Sequence, residues 1–191
     1  MAKHLVQVGE CMAGAAVGTA EQTIAKFEEA KAMYDREYGE GHLSTADCLV
    51  GIGRRDLTDW EGTDYQKAPG GGRAALAVVE GAGKGGAVEA EGALVLIGEA
   101  HRKLEQWDEA LGHYERRLQV LRAHHGEGAG KVAELAPALM CIGDVHQFGR
   151  GDYERALASY EEAVPGSEAT TGQRSKNTGR LCDSIGAAYY N

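Results

Sequence analysis

A chain of 191 residues, 43% hydrophobic and 26% charged, has the composition of an ordered protein and not of a disordered one. Its formal charge of −9 excludes the basic surface that nonspecific nucleic-acid binding or docking on anionic lipid requires. A basic or mixed-charge protein partner suits such a surface better. No stretch reaches the roughly 18 apolar residues of a bilayer span, so the expectation is a soluble, cytoplasmic protein without membrane insertion. Cys11, Cys48, Cys141 and Cys182 form no CxxC pair, and read as structural thiols of a reducing compartment.

A dipeptide organises the chain: Val8-Gly9, Ile52-Gly53, Ile97-Gly98, Ile142-Gly143 and Ile185-Gly186 follow one another at intervals of about 43 to 45 residues. A period of that size marks stacked repeats, each too small to bury its own core. In chain order, the apolar run Cys11 to Val17 imitates a signal peptide, but Glu10 interrupts it and Val8-Gly9 stands in register with later copies, so it reads as the first helix. Gly9 falls in a helix A, a long turn around Ala13 to Thr19 follows, and Ile24, Phe27 and Ala30 mark a helix B. The second repeat keeps Leu49, Ile52, Gly53, Trp60, Tyr65 and Ala68, with Gly62 where a small alanine is expected and a short turn. Pro69-Gly70-Gly71-Gly72 is expected to end its helix B early, leaving 69–86 the weakest segment, with at most a turn or two from Ala74 to Glu80.

The third repeat is the clearest. Leu94, Ile97, Gly98 and His101, then Leu104, Trp107, Ala110, Leu111, Tyr114, Leu118 and Leu121, recur every three or four residues and break near Lys103 to Gln106, which predicts a helical hairpin. Glycine inside a helix costs about 1 kcal/mol against alanine, so Gly98 needs a reason. Close approach of helix A to helix B supplies one, with Ala110 as the small residue opposite. Leu139, Ile142, Gly143, His146, Tyr153, Ala156, Tyr160 and Ala163 repeat the pattern with one residue added around Gly149-Arg150-Gly151. A fifth copy begins with Leu181, Ile185, Gly186 and Tyr189 and stops after one helix, which leaves an apolar face for a partner or for further chain to cover.

Leu94-x2-Ile97-Gly98-x2-His101 followed by Trp107-x2-Ala110-x3-Tyr114 resembles the tetratricopeptide repeat, His101 standing where that family has tyrosine. The glycine-rich connections Tyr38-Gly39-Glu40-Gly41-His42 and His125-Gly126-Glu127-Gly128 lengthen the repeat and resemble the long repeats of kinesin light chain. The resemblance implies an all-α, right-handed superhelix of stacked antiparallel helix hairpins, a TPR-like α-solenoid, as one domain over 1–191 with repeats near 3–46, 47–90, 91–135, 136–177 and a partial 178–191. Structural positions are then Gly9, Gly53, Gly98, Ala110, Tyr114, Gly143, Ala156, Tyr160 and Gly186. Groove-facing positions carried over from the family are Val95, Glu99, Arg102 and Lys103, then Met140, Asp144, Gln147 and Phe148, with Val50, Arg54, Asp183 and Tyr190 from the second and fifth repeats. The kinesin light chain asparagines before the small residue are absent here, so recognition through them is not carried over.

Other chemistry is poorly supported. Gly81-Ala82-Gly83-Lys84-Gly85-Gly86 imitates a phosphate loop, yet Val78 and Gly85 occupy the places of the required glycine and hydroxyl, and a flexible inter-helix loop fits better. His101 and His146 hold the same repeat position and belong to helix packing, and adjacent His124 and His125 make a poor chelate, so no metal is expected. No Gly-x-Ser-x-Gly or HExxH occurs. Neither a catalytic site nor a cofactor is expected. The expectation is a noncatalytic scaffold or adaptor that holds a peptide or helix in a concave groove, against two alternatives: a structural subunit that self-associates through its C-terminal helix, and a regulatory helical-repeat domain with a small ligand.

Overall fold

The computed structural model describes residues 2–3, 6–7, 9–10, 19–55, 57, 65–126, 133–171 and 176–190. Among these residues there are helices and turns and no strands. The elements are α1 (Ala20–Tyr38), α2 (Ser44–Arg55), α3 (Ala68–Gly81), a 3-10 turn (Val88–Ala90), α4 (Glu91–Lys103), α5 (Trp107–His125), α6 (Leu135–Asp144) continued by a π segment (Val145–Arg150), α7 (Tyr153–Thr171) and α8 (Lys176–Tyr190). Residues 2, 3, 6, 7, 9 and 10 are helical as well. The helices gather into two compact units, Met1–Leu104 and Glu105–Asn191.

In the first unit α1 packs on α2, α2 on α3 and α3 on α4. Thr19 starts α1 with a capping box: its hydroxyl accepts from the Gln22 N–H at 3.2 Å, and the Gln22 side chain accepts from the Thr19 N–H at 3.0 Å. Two donors that a helix start leaves orphaned are thereby satisfied. The helix ends at Gly39, whose φ of 91° excludes most side chains. The Phe27 ring, 2% exposed, lies where a Cβ on Gly9 or on Gly51 would sit, at 2.9 and 2.5 Å. Both neighbouring helices therefore close onto one aromatic ring through glycine. Ala30, Tyr34 and Cys48 complete this core, and burial pushes the Cys48 thiol up to about 11, which makes it an inert packing group.

The second repeat departs from the sequence expectation. Pro69 does not end a helix; it sits in the first turn of α3, where its missing N–H would have had no partner and its fixed φ suits the helix. The glycines after it are contact residues. A Cβ on Gly71 would lie 2.9 Å from the Gly53 Cα, and one on Gly72 would lie 2.5 Å from Ile97 Cγ1. Gly71 is thus a small residue facing Gly53, and α3 fits between α2 and α4 because its first turns lack side chains. Trp60 and Gly62 lie outside the described residues. The phosphate-loop mimic is the exit from α3: Gly83 at φ 73°, with Lys84 N–H bonded to the Val79 carbonyl at 2.9 Å and Gly83 N–H to Glu80 at 2.9 Å, is a Schellman closure. Lys84 is turned to Glu89 at 3.3 Å.

In the second unit α5 packs on α6, α6 on α7 and α7 on α8. Tyr114, Tyr160, Ala110, Ala156 and Ala163 are fully buried. A Cβ on Gly143 would run into the Tyr160 ring. The Tyr160 hydroxyl stands 2.8 Å from Asp144 Oδ1 and 2.8 Å from Gln147 Oε1, and burial together with the Asp144 carboxylate holds its pKa well above the ordinary tyrosine value. The extra residue of this repeat is taken up by the π segment, whose Gly149 lies against the Trp107 ring, and Gly151 in the left-handed region ends it. Gly186 of α8, at the same repeat position as Gly143, has nothing within 4 Å of its Cβ direction.

Candidate functional site

The first unit contains a cavity of about 520 Å³ that uses the inward faces of successive helices. Glu10 comes from the N-terminal helical residues, Phe27 from α1, and Ala46, Asp47, Val50, Gly51, Arg54 and Arg55 from α2. Val88, Glu89, Glu91, Gly92 and Ala93 come from the start of α4 and the turn before it. On α2 the stripe Asp47, Val50, Gly51, Arg54 has the three- and four-residue spacing that puts all four on one face.

Two contacts set the register between α2 and α4. Gly92 stands against Val50, and Leu96 against Gly53, so the helices run in the same direction and Asp47 comes level with Glu89. The apolar lining is Phe27, Ala46, Val50, Val88 and Ala93, with Phe27 seated against Gly51 and open space left at Gly92. Carboxylates stand around the acidic end, and Arg54 and Arg55 at the last turn of α2. Glu89 is paired with Lys84. Asp47 is exposed at the edge of the cavity, and partial desolvation raises its carboxyl pKa.

A second cleft, about 530 Å³ and more open, lies in the second unit among α5, α6 with its π segment, and α7. The Arg122–Glu162 ion pair crosses it, and His146, 6% exposed, forms part of its wall. The Nδ1 of His146 has no hydrogen-bond partner among the described residues, and burial followed by the nearby Arg150 lowers its pKa.

The twelve groove candidates from the sequence are distributed between the units. Arg54 lines the cavity, as does Val50. Val95, Glu99, Arg102 and Lys103 lie half-buried on α4 outside its lining, with the Lys103 amine 5.5 Å above the Tyr65 ring. Met140 and Gln147 are buried, and Asp144 is engaged with Tyr160, so three side chains expected at a partner-facing surface serve the interior instead. Phe148, Asp183 and Tyr190 are exposed. Sequence reasoning missed Asp47 and Gly51, although they share the stripe of Val50 and Arg54 one helical turn back. It missed Val88 to Ala93 because the position of α3 was misplaced.

Residues 93–124 match the family model of the tetratricopeptide repeat. Solved structures agree over 98% of the chain. A Podosopora anserina kinesin light chain candidate with nearly identical TPR-like repeats aligns with a TM-score of 0.75 at 12% identity, over 84% of its own length. BtubC (BKLC) from P. vanneervenii aligns with a TM-score of 0.82 at 15% identity, over 71% of its own length. The fold is that of the TPR-like helical-repeat proteins. No curated protein matches the chain by sequence. In this fold α1, α2, the start of α4 with the turn before it, and the N-terminal helical residues supply the cavity, and none of the described helices is long and apolar enough to cross a membrane.

Proposed function

We propose that this chain is a noncatalytic interaction scaffold that receives a peptide or helical segment of another protein in the cavity of its first unit. The observation that supports this is the lining itself: an apolar floor with open space at Gly92, bordered by charged side chains from the N-terminal helical residues, from α2 and from the start of α4 with the turn before it. TPR domains in general bind protein partners, and an extended concave surface of this kind suits a short segment. Blocking the floor tests it. A Cβ on Gly92 would meet only Val50, at 3.8 Å, and Gly92 lines the cavity, so Gly92→Leu is the substitution chosen to fill it. Peptides selected from a displayed random library on the native chain are expected to lose binding on the variant; retention would place the contact elsewhere.

Self-association is the second reading, favoured by α8. Its Gly186 faces open space while Tyr189 and Tyr190 are 68% and 92% exposed, so a surface that in the preceding repeat is covered by a return helix is available to a second copy. Light scattering across a concentration series decides this reading: a mass that stays at 20.2 kDa removes it.

A further inference from the structure

We infer that the segment held by the first-unit cavity is a basic one, carrying a lysine or arginine next to an apolar anchor residue. This rests on the scaffold reading above and adds the chemistry of the partner. Asp47, Glu10, Glu89 and Glu91 border the cavity against two cations, Arg54 and Arg55. The balance is not uniform along the groove. Arg54 and Arg55 stand at the last turn of α2, whereas the parallel register of α2 and α4 gathers Asp47, Glu89 and Glu91 at the opposite end.

Glu89 already holds Lys84, whereas Asp47 stands exposed on the same stripe of α2 as Val50, beside the apolar floor. An incoming ammonium or guanidinium would pair with this exposed carboxylate at the edge of the apolar floor. An acidic segment would instead place like charges at that rim. The apolar anchor follows from the floor, since Phe27, Val50 and Val88 offer no hydrogen bond and gain by covering. With Asp47 and Val50 one helical turn apart, the cation and its anchor are close neighbours on the bound segment. The protein's charge of −9 draws the same kind of segment in from a distance.

The test uses two fluorescein-labelled synthetic peptides with the same apolar residues, one bearing lysines and the other glutamates at the remaining positions, titrated against the full chain by anisotropy. The lysine peptide is expected to bind roughly tenfold or more tightly than the glutamate peptide. Asp47→Asn with Glu10→Gln is expected to weaken it severalfold more than Glu37→Gln with Glu109→Gln, which removes the same charge from exposed positions outside the cavity. Gly92→Leu is expected to abolish it, with Val88→Trp as the second block and circular dichroism to confirm that each variant is folded. Equal binding of both peptides, lost together in the blocked variants, would leave the scaffold reading standing and overturn the basic-segment inference. So would an equal effect of the two charge-removing pairs. Binding of neither peptide, or binding that survives both blocks, would overturn the two together.

Discussion

Glycine has opposite consequences at different positions of this chain, and the surroundings of its missing Cβ decide which. At Gly143 the Tyr160 ring fills the space, so Gly143→Ala must push a buried aromatic aside, and a loss of about 1–3 kcal/mol is expected in urea unfolding. At Gly112, inside α5, nothing lies within 4 Å, and Gly112→Ala should gain about 0.5–1 kcal/mol by restricting the unfolded chain. The paired measurement separates close packing from helix propensity, since propensity alone would make both substitutions stabilising. Glu105 is the converse case. It holds φ 57° in the turn before α5 without being glycine, and its side chain is exposed. Glu105→Gly relieves that strain, and a gain of up to about 1 kcal/mol in the same assay is the expected result.

At the scale of elements, the π segment Val145–Arg150 places His146 where its charged form is disfavoured. Burial and Arg150 lower its pKa, while Asp152 and Glu115 oppose them weakly. The sign follows from linkage: between the lowered folded value and the unfolded value of about 6.5, the unfolded chain binds more protons, so stability present above pH 6.5 is lost as the pH falls through the folded pKa. His146→Phe should flatten that part of the urea-midpoint profile, and a profile identical to the native one would remove His146 as the cause. The hairpins themselves were legible in sequence because a helix packed against another leaves two marks, a three-to-four period and a small residue at the crossing. Gly9, Gly53 and Gly143 carry both marks and all three meet a neighbouring helix. Pro69-Gly70-Gly71-Gly72 was misread because proline and glycine break a helix in its interior yet suit its first turn, and which applies depends on a start that the sequence does not mark. Gly53 now faces Gly71 across a longer connection. The cavity inherited that error: Val50 and Arg54 follow from one helix's periodicity, whereas Glu89 and Glu91 reach it only through the register of α4 against α2.

For the whole molecule, the scaffold proposed above would be limited by charge more sharply than by shape. Many helical-repeat grooves of similar width could hold an extended peptide, and a volume of about 520 Å³ does not distinguish among sequences. The −9 balance and the carboxylates at the cavity rim do. In the tetratricopeptide proteins that clamp a terminal carboxylate, the clamp uses lysine and asparagine; the resemblance in repeat pattern implies Glu99 and Asp144 at asparagine positions, and Asp144 is already engaged with the Tyr160 hydroxyl. A peptide ending in Glu-Glu-Val-Asp brings three acidic side chains and a free carboxylate, so it meets repulsion at long range and finds no donor pair at short range. Calorimetry with that peptide is expected to show no affinity tighter than about 1 mM, where the free energy of binding would be about −4 kcal/mol. The result should hold as salt is raised, because screening removes the repulsion without supplying the missing donors. Submillimolar binding that strengthens with salt would mean the local donors exist after all and that charge alone had concealed them.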